Sequence, residues 1–519
     1  MFEWKQKGLA QSMKWILDSK QAKEIDSYTI EQGGIPSLVL MERAALAVVE
    51  EVEAYIDKEQ RILCLCGVGN NGGDGVAVSR ILTQRGYKVV CEIVGNMQKA
   101  SCDMKKQYEI GQKIGVKFGN KENIKEYNII IDALFGIGLS RNVTGEYAEL
   151  IEEVNKAEKY VISVDIPSGI CANTGRICNV AIKANKTITF GYWKMGLLLY
   201  PGCTFGGQVI VAEIGFLQLP EKFCSTFLYE KEDIKNYMPK RKDYSNKGSY
   251  GKVLVIAGSK NMAGACYLSA SAAYHMGTGI VKILTTEENR VILQEKIPEA
   301  VLFTYTSETL ERQREEIKKE IVNASAIVIG PGLGRTDSAK FIMDLVLEYS
   351  KVPTVIDADG LQLLSGNNQI QSSYDKKTEI WNCKLPSNFI LTPHLKEMSD
   401  LLGKKLSTKE IQEHLLEIRI ICKENENVLV LKDARTLVSQ KERLYVNMSG
   451  NHGMATAGAG DVLTGILAGL LGQNMQPFEA AALGTYIHGK AGDKAYEKKG
   501  SYSLMAQDII FAIPEVLNW

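Results

Sequence analysis

Twice along the chain, short apolar runs alternate with amphipathic stretches, and glycine marks most of the turns between them. Such alternation builds strand–helix–strand crossovers, which require a mostly parallel sheet covered by helices on both faces. The first series runs Arg61–Cys66, Lys88–Val94, Asn128–Asp132, Tyr160–Asp165, Thr187–Phe190 and Gly207–Ala212, with helical patterns over Gly73–Arg85, Cys102–Ile114 and Glu146–Lys156. The second runs Lys252–Ala257, Ile280–Leu284, Ala326–Ile329, Thr354–Asp357, Phe389–Leu391 and Val428–Lys432, and closes on helices Asp461–Leu471, Pro477–Glu497 and Ser503–Val516. Between them, Leu219–Lys247 is charged and irregular, with Pro220, Pro239 and the run Lys240-Arg241-Lys242. The pattern predicts an α/β chain with domains at residues 1–218 and 246–519 and a linker at 219–245. The polar stretch Asn367–Cys383 reads as a surface insertion.

Charge narrows the function classes. Lys plus Arg and Asp plus Glu are 61 each, so no global field draws the chain to nucleic acid or to an anionic membrane. No run approaches the roughly 18 apolar residues of a membrane span, and Met1–Gln32 is charged throughout, without a signal-peptide core. A cytoplasmic protein is expected. The 11 cysteines include no C-x-x-C pair. Cys64 and Cys66 fall on one strand face and are expected as buried thiols. The five histidines have no zinc-site spacing.

The first series carries a site. Strand Arg61–Cys66 runs into Gly67-Val68-Gly69-Asn70-Asn71-Gly72-Gly73-Asp74-Gly75 and then a helix. Glycines let the backbone approach an anion, and a helix start offers unpaired N–H groups. An ordinary dinucleotide fingerprint also wants an acid at the end of the second strand, but Glu92 sits inside an apolar run. Two further strands end in aspartate, Asp132 before Ala133-Leu134-Phe135-Gly136, and Asp165 before Ile166-Pro167-Ser168-Gly169. Ligands sit outside the carboxyl ends of parallel strands, so Asn70, Asn71, Asp132, Asp165 and Ser168 are expected together there. Each aspartate could also simply cap its loop. Oxygen-only ligands would suit a hard cation rather than zinc.

These three runs, with Leu40-Met41-Glu42-Arg43-Ala44 upstream, resemble the NAD(P)H-hydrate epimerase family over roughly Ile16 to Gly215. The resemblance implies a three-layer Rossmann-like domain that interconverts the R and S epimers of hydrated NAD(P)H. It implies Asp165 as the acid/base and potassium on Asn71, Asp132 and Ser168. It implies substrate contacts at Asn70, Asn71, Gly72, Gly73 and Asp74, at Gly136-Ile137-Gly138-Leu139-Ser140-Arg141-Asn142, and at Asp165.

In the second series Gly458-Ala459-Gly460-Asp461 opens a helix of small residues. Such a turn points N–H groups and the positive dipole end at a phosphate, with Asp461 placed to accept a hydroxyl proton. Asp461 could also be a plain helix cap. This is ribokinase-like logic, and a small-molecule kinase with an accessory binding domain is the alternative reading. Gly251–Gly258, Met262–Ala272, Gly330-Pro331-Gly332-Leu333-Gly334, Val355-Ile356-Asp357-Ala358-Asp359-Gly360 and Leu391-Thr392-Pro393-His394 resemble the NAD(P)H-hydrate dehydratase family, over about Ser249 to Val516. That resemblance implies a ribokinase-like α/β domain that dehydrates the S epimer with ADP, or ATP, and Mg2+. Asp461 would be the base, Ala265, Gly332, His394 and Asp461 would meet the hydrate, and Lys432, Asp433, Ala434, Arg435, Thr436 and Gly460 would hold the nucleotide. Lys432-Asp433 stands where the family usually has Lys-Gly, and Asn451-His452-Gly453 where it has Asn-Pro-Gly. The expected ligands are therefore NAD(P)HX and ADP or ATP, with no nucleic acid or membrane partner, and a homo-oligomer is expected.

Overall fold

A computed structural model describes residues 14–119, 123–365, 373–375, 380–382, 385–403 and 426–518. Most of Asn367–Cys383 and the start of the chain lie outside the described residues. The chain divides into two compact units, Lys14–Thr226 and a second from Phe227 on.

In the first unit seven strands lie in the order Lys117–Phe118, Lys88–Ile93, Arg61–Cys66, Ile129–Ala133, Tyr160–Val164, Lys186–Phe190 and Gln208–Ala212. All are parallel. Alternation along Arg61–Cys66 explains the layering. Ile62, Cys64 and Cys66 join a core with helices Ser37–Glu53 and Asn70–Gln84, whereas Leu63 and Leu65 pack on helix Glu146–Lys156 across the sheet. Cys64 and Cys66 are buried thiols as expected, joined by Cys91 from the next strand. The order reverses between the Arg61 and Ile129 strands, leaving a crevice at their carboxyl ends.

The second unit repeats the plan. Its strands lie in the order Val301–Tyr305, Ile280–Thr286, Lys252–Ile256, Ala326–Ile329, Thr354–Ile356, Phe389–Leu391, Val428–Leu431, Leu437–Gln440 and Arg443–Val446. Pairing is parallel up to Val428–Leu431 and antiparallel beyond it. The sequence pattern missed the last two strands and Val301–Tyr305. The hairpin turn has no Asn-Gly or Gly-Gly signal, because Lys441 itself adopts φ 52°. Among the described residues, Val301–Tyr305 pairs on one side only, with Ile280–Thr286.

The segment read as an irregular lead-in carries regular structure. Thr226–Leu228 is a strand and Lys231–Tyr237 a helix. Phe227 and Tyr229 are buried against Tyr445, and Phe227 also meets Phe478. Hydropathy periodicity cannot register an element of three residues. Phe227→Ala is therefore expected to destabilise the second unit by about 3–5 kcal/mol, read as a lowered midpoint in urea. A fragment starting after Tyr237 should show a similar loss, whereas one starting near Glu221 should not.

Two candidate active sites

In the first unit the helix starting at Asn70 has Gly69 as its N-cap and no capping side chain. The turn is glycine by necessity: a Cβ on Gly72 would lie 1.7 Å from the Gly67 carbonyl oxygen. A cavity of about 920 Å³ opens here, lined by Asn70, Asn71, Asp74, Gly136 to Asn142, and Asp165. Gly72 and Gly73 are buried behind it and shape the turn.

Asp165 stands one residue beyond its strand with φ 66°, a left-handed conformation that costs a non-glycine residue about 1–3 kcal/mol. Its Oδ1 accepts from Thr189 Oγ1 at 3.1 Å, the Phe190 N–H at 3.4 Å and Lys194 Nζ at 2.8 Å. Lys194 escaped the sequence reading, since 29 residues separate the pair and only the fold joins them. Asp26 and Asp103, also missed, line the same cavity. Burial first, then the charges of Asp165, Asp26 and Asp103, push Asp74 well above the usual carboxylate range. Asp26 is pushed up as well, by burial and then by Asp103 and Asp165.

Asp132 and Ser168 do not line the cavity. They lie beneath it, with Asp132 fully buried. Asp132 Oδ1 accepts from Ser168 Oγ at 2.5 Å, and Oδ2 accepts from the Ser168 N–H and Ser163 Oγ at 2.8 Å each. Ser168 Oγ in turn accepts from the Phe135 N–H at 2.9 Å. The Asn71 side chain lies beside Gly136, its amide carbon 3.2 Å from where a Cβ there would stand. Two features fit a monovalent cation. Burial pushes Asp132 upward with only neutral donors to offset it, and the buried Asn71 Nδ2 has no hydrogen-bond partner. An amide turned end for end would put an acceptor oxygen in that buried position instead.

In the second unit Asp461 lies in the first turn of helix Ala459–Gly472, whose N-cap is Gly458 at φ 91°. A second carboxylate, Asp357, lies close enough to act on it. Asp357, at the end of strand Thr354–Ile356, is buried and accepts from Lys432 Nζ at 2.6 Å. The Gly330 turn makes room for this strand end: its φ is 124°, and a Cβ there would lie 1.9 Å from the Asp357 carbonyl oxygen. A Cβ on Gly460 would lie 3.5 Å from both Asp357 Oδ2 and Lys432 Nζ. Burial and Asp357 raise Asp461 to about 6, against the opposing pull of Lys432. Dehydration, if Asp461 is its base, should therefore fade as pH drops through about 6. In a pH profile of kcat/KM, Asp357→Asn should move that acid limb down and Lys432→Met should move it up.

The remaining expected residues fall into two groups. Gly332 faces Ala265, since a Cβ on Gly332 would lie 3.0 Å from that of Ala265. His394 caps helix Leu395–Leu402 through Nδ1, which accepts from the N–H groups of Lys396 and Glu397. That leaves the proton of the neutral ring on Nε2, 3.4 Å from Glu397 Oε1. Asp433-Ala434-Arg435-Thr436 form the turn after strand Val428–Leu431, tied by Thr436 Oγ1 donating to the Asp433 carbonyl. His452 packs edge-on against Tyr496, and Asn451 donates to Asp493. His488, missed by the sequence reading, bonds the Ala459 backbone, and burial lowers it to about 4, so it is neutral.

The family model for NAD(P)H-hydrate dehydratase matches residues 253–515, and that for the YjeF-related protein N-terminus matches residues 37–196. The bifunctional NAD(P)H-hydrate repair enzyme of Moorella thermoacetica is 35% identical over 528 residues, covering 97% of this chain and 97% of its own. The chain belongs to the bifunctional NAD(P)H-hydrate repair enzymes. The repair enzyme of Coxiella burnetii is likewise 35% identical, with 98% of this chain and 100% of its own covered. The ADP/ATP-dependent NAD(P)H-hydrate dehydratase of Bacillus subtilis, crystallised with ATP and Mg2+, is 27% identical, covering 55% of this chain and 96% of its own at a TM-score of 0.46. As a repair enzyme, the chain is bifunctional, with an epimerase domain and a dehydratase domain, and the small-molecule kinase alternative is not favoured. Among the described residues, no helix is long and apolar enough to cross a membrane.

Proposed function

We propose that the first unit interconverts the R and S epimers of hydrated NAD(P)H at Asp165, and that the second dehydrates the S epimer at Asp461 with ADP. The observation that carries the reading is Asp461 at a helix start beside the Asp357–Lys432 pair. Asp461 takes the proton of the substrate hydroxyl as that oxygen receives the terminal phosphoryl group of ADP. AMP leaves, and the C–O bond then breaks with loss of a proton from the adjacent carbon. NAD(P)H and phosphate result, and the hydrate's oxygen ends in the phosphate. Mg2+ bound with the nucleotide would neutralise phosphate charge, and Lys432, Gly460 and the turn Asp433-Ala434-Arg435-Thr436 would hold the nucleotide. A kinase would leave a stable phosphomonoester, so product analysis with purified S epimer and ADP tests the assignment. Free phosphate together with dihydronicotinamide absorbance is the expected result.

Epimerisation breaks and remakes one bond at the hydrated carbon, so any proton removed in the first half is returned in the second. Asp165, facing the cavity, is the group that carries it. Potassium would be held by Asp132, Ser168 and Asn71, with charge balance for a buried carboxylate as its contribution. Asp132→Asn should weaken the potassium dependence of epimerisation and leave ADP-dependent dehydration unchanged. Anomalous scattering from rubidium-soaked crystals checks the site itself; a well-occupied zinc there would contradict it.

A further inference from the structure

Asp165 is gripped from one side only. All three of its donors converge on Oδ1, while Oδ2 takes no bond from Thr189, Phe190 or Lys194. Lys194 Nζ has three N–H groups and spends all of them, at 2.8 Å each, on Asp165 Oδ1, Thr189 Oγ1 and the Phe190 carbonyl. Its side chain is 3% exposed and that of Asp165 is 12% exposed. Taking an ammonium out of water is costly unless a partner and good geometry repay it, so this lysine is placed, not stranded. The pair is also held on regular elements. Thr189 and Phe190 end strand Lys186–Phe190, and Lys194 lies in the short strand Trp193–Lys194, which pairs with Ile16 and Leu17.

We infer that Lys194 is the positioning residue of the epimerase site: with Thr189 it locks Asp165 through Oδ1 and leaves Oδ2 as the oxygen that exchanges protons with the substrate. Lys194 lines the cavity, but with every N–H engaged it offers the substrate no donor, so it acts through Asp165. The inference rests on the assignment of Asp165 as the proton-transfer group.

The test uses the full chain and follows R-to-S interconversion by chromatography without nucleotide, with urea unfolding of the Lys14–Thr226 unit followed by circular dichroism as the control for folding. Lys194→Met is expected to lower the epimerisation kcat by about 100-fold while KM stays within about threefold, the signature of a misplaced group rather than of lost binding. Thr189→Val, which keeps the ion pair, should cost about tenfold. In Lys194→Ala, added methylammonium should restore part of the kcat, which a purely structural lysine would not allow. If Asp165→Asn is inactive but Lys194→Met keeps near wild-type kcat, positioning by Lys194 is wrong while the role of Asp165 stands. If Asp165→Asn epimerises normally, that role fails and the inference with it. Should Lys194→Met not fold, wild-type kcat in Thr189→Val would overturn the inference.

Discussion

Asp461→Asn is expected to slow dehydration of the S epimer by about 100- to 10,000-fold, the usual cost of losing a general base, while epimerisation keeps its wild-type rate. Asparagine preserves the shape of the helix start and removes only the proton acceptor. The substitution should not cost stability. A carboxyl raised to about 6 in the fold favours the protonated form there, so ionisation above that pH works against the folded state. Removing the charge lifts that penalty at neutral pH, and the thermal midpoint should hold or rise. Retained dehydration in a folded Asp461→Asn would remove Asp461 from the base role.

The second large effect is expected at Asp165. Asp165→Asn should leave the S epimer consumed rapidly and the R epimer consumed only as fast as it epimerises spontaneously. Asparagine is the better choice, because its amide oxygen can still accept from the buried Lys194 ammonium, whereas alanine would remove both the charge and the acceptor. Breaking one side of a buried pair costs about 3–5 kcal/mol, enough to confuse lost chemistry with lost folding. Single-turnover consumption of separated epimers, with ADP in excess, distinguishes the two rates. Equal enzymatic consumption of both epimers by the variant would contradict the assignment.

Much of this was legible in the sequence because the chemistry sits where strands end. The glycine turn, Asp132, Asp165 and Asp461 each follow a recognisable apolar run or open a helical one, and the fold brings each to the end of its element. What stayed hidden depends on contacts between distant segments. Lys194 meets Asp165, and Lys432 meets Asp357 across 75 residues. Neither pairing leaves a periodic trace: Lys194 alone reads as surface charge, and the family resemblance puts Lys432 at the nucleotide without showing its partner Asp357. The acidic group of Asp26, Asp74 and Asp103 was likewise assembled by the fold. The strand and helix at 226–237 were missed for another reason: three residues cannot show a period, and the flanking charges made the stretch resemble a linker.

The central claim is that one chain restores both epimers of the damaged cofactor. Its most direct test is to incubate the protein with a mixture of R and S hydrates, ADP, Mg2+ and potassium, and to follow dihydronicotinamide absorbance together with AMP and phosphate. The account predicts complete conversion of both epimers, with AMP and phosphate released in equal amounts to the NAD(P)H formed. Accumulation of a stable phosphorylated product, or a plateau that leaves the R epimer decaying only at its spontaneous rate, would contradict it.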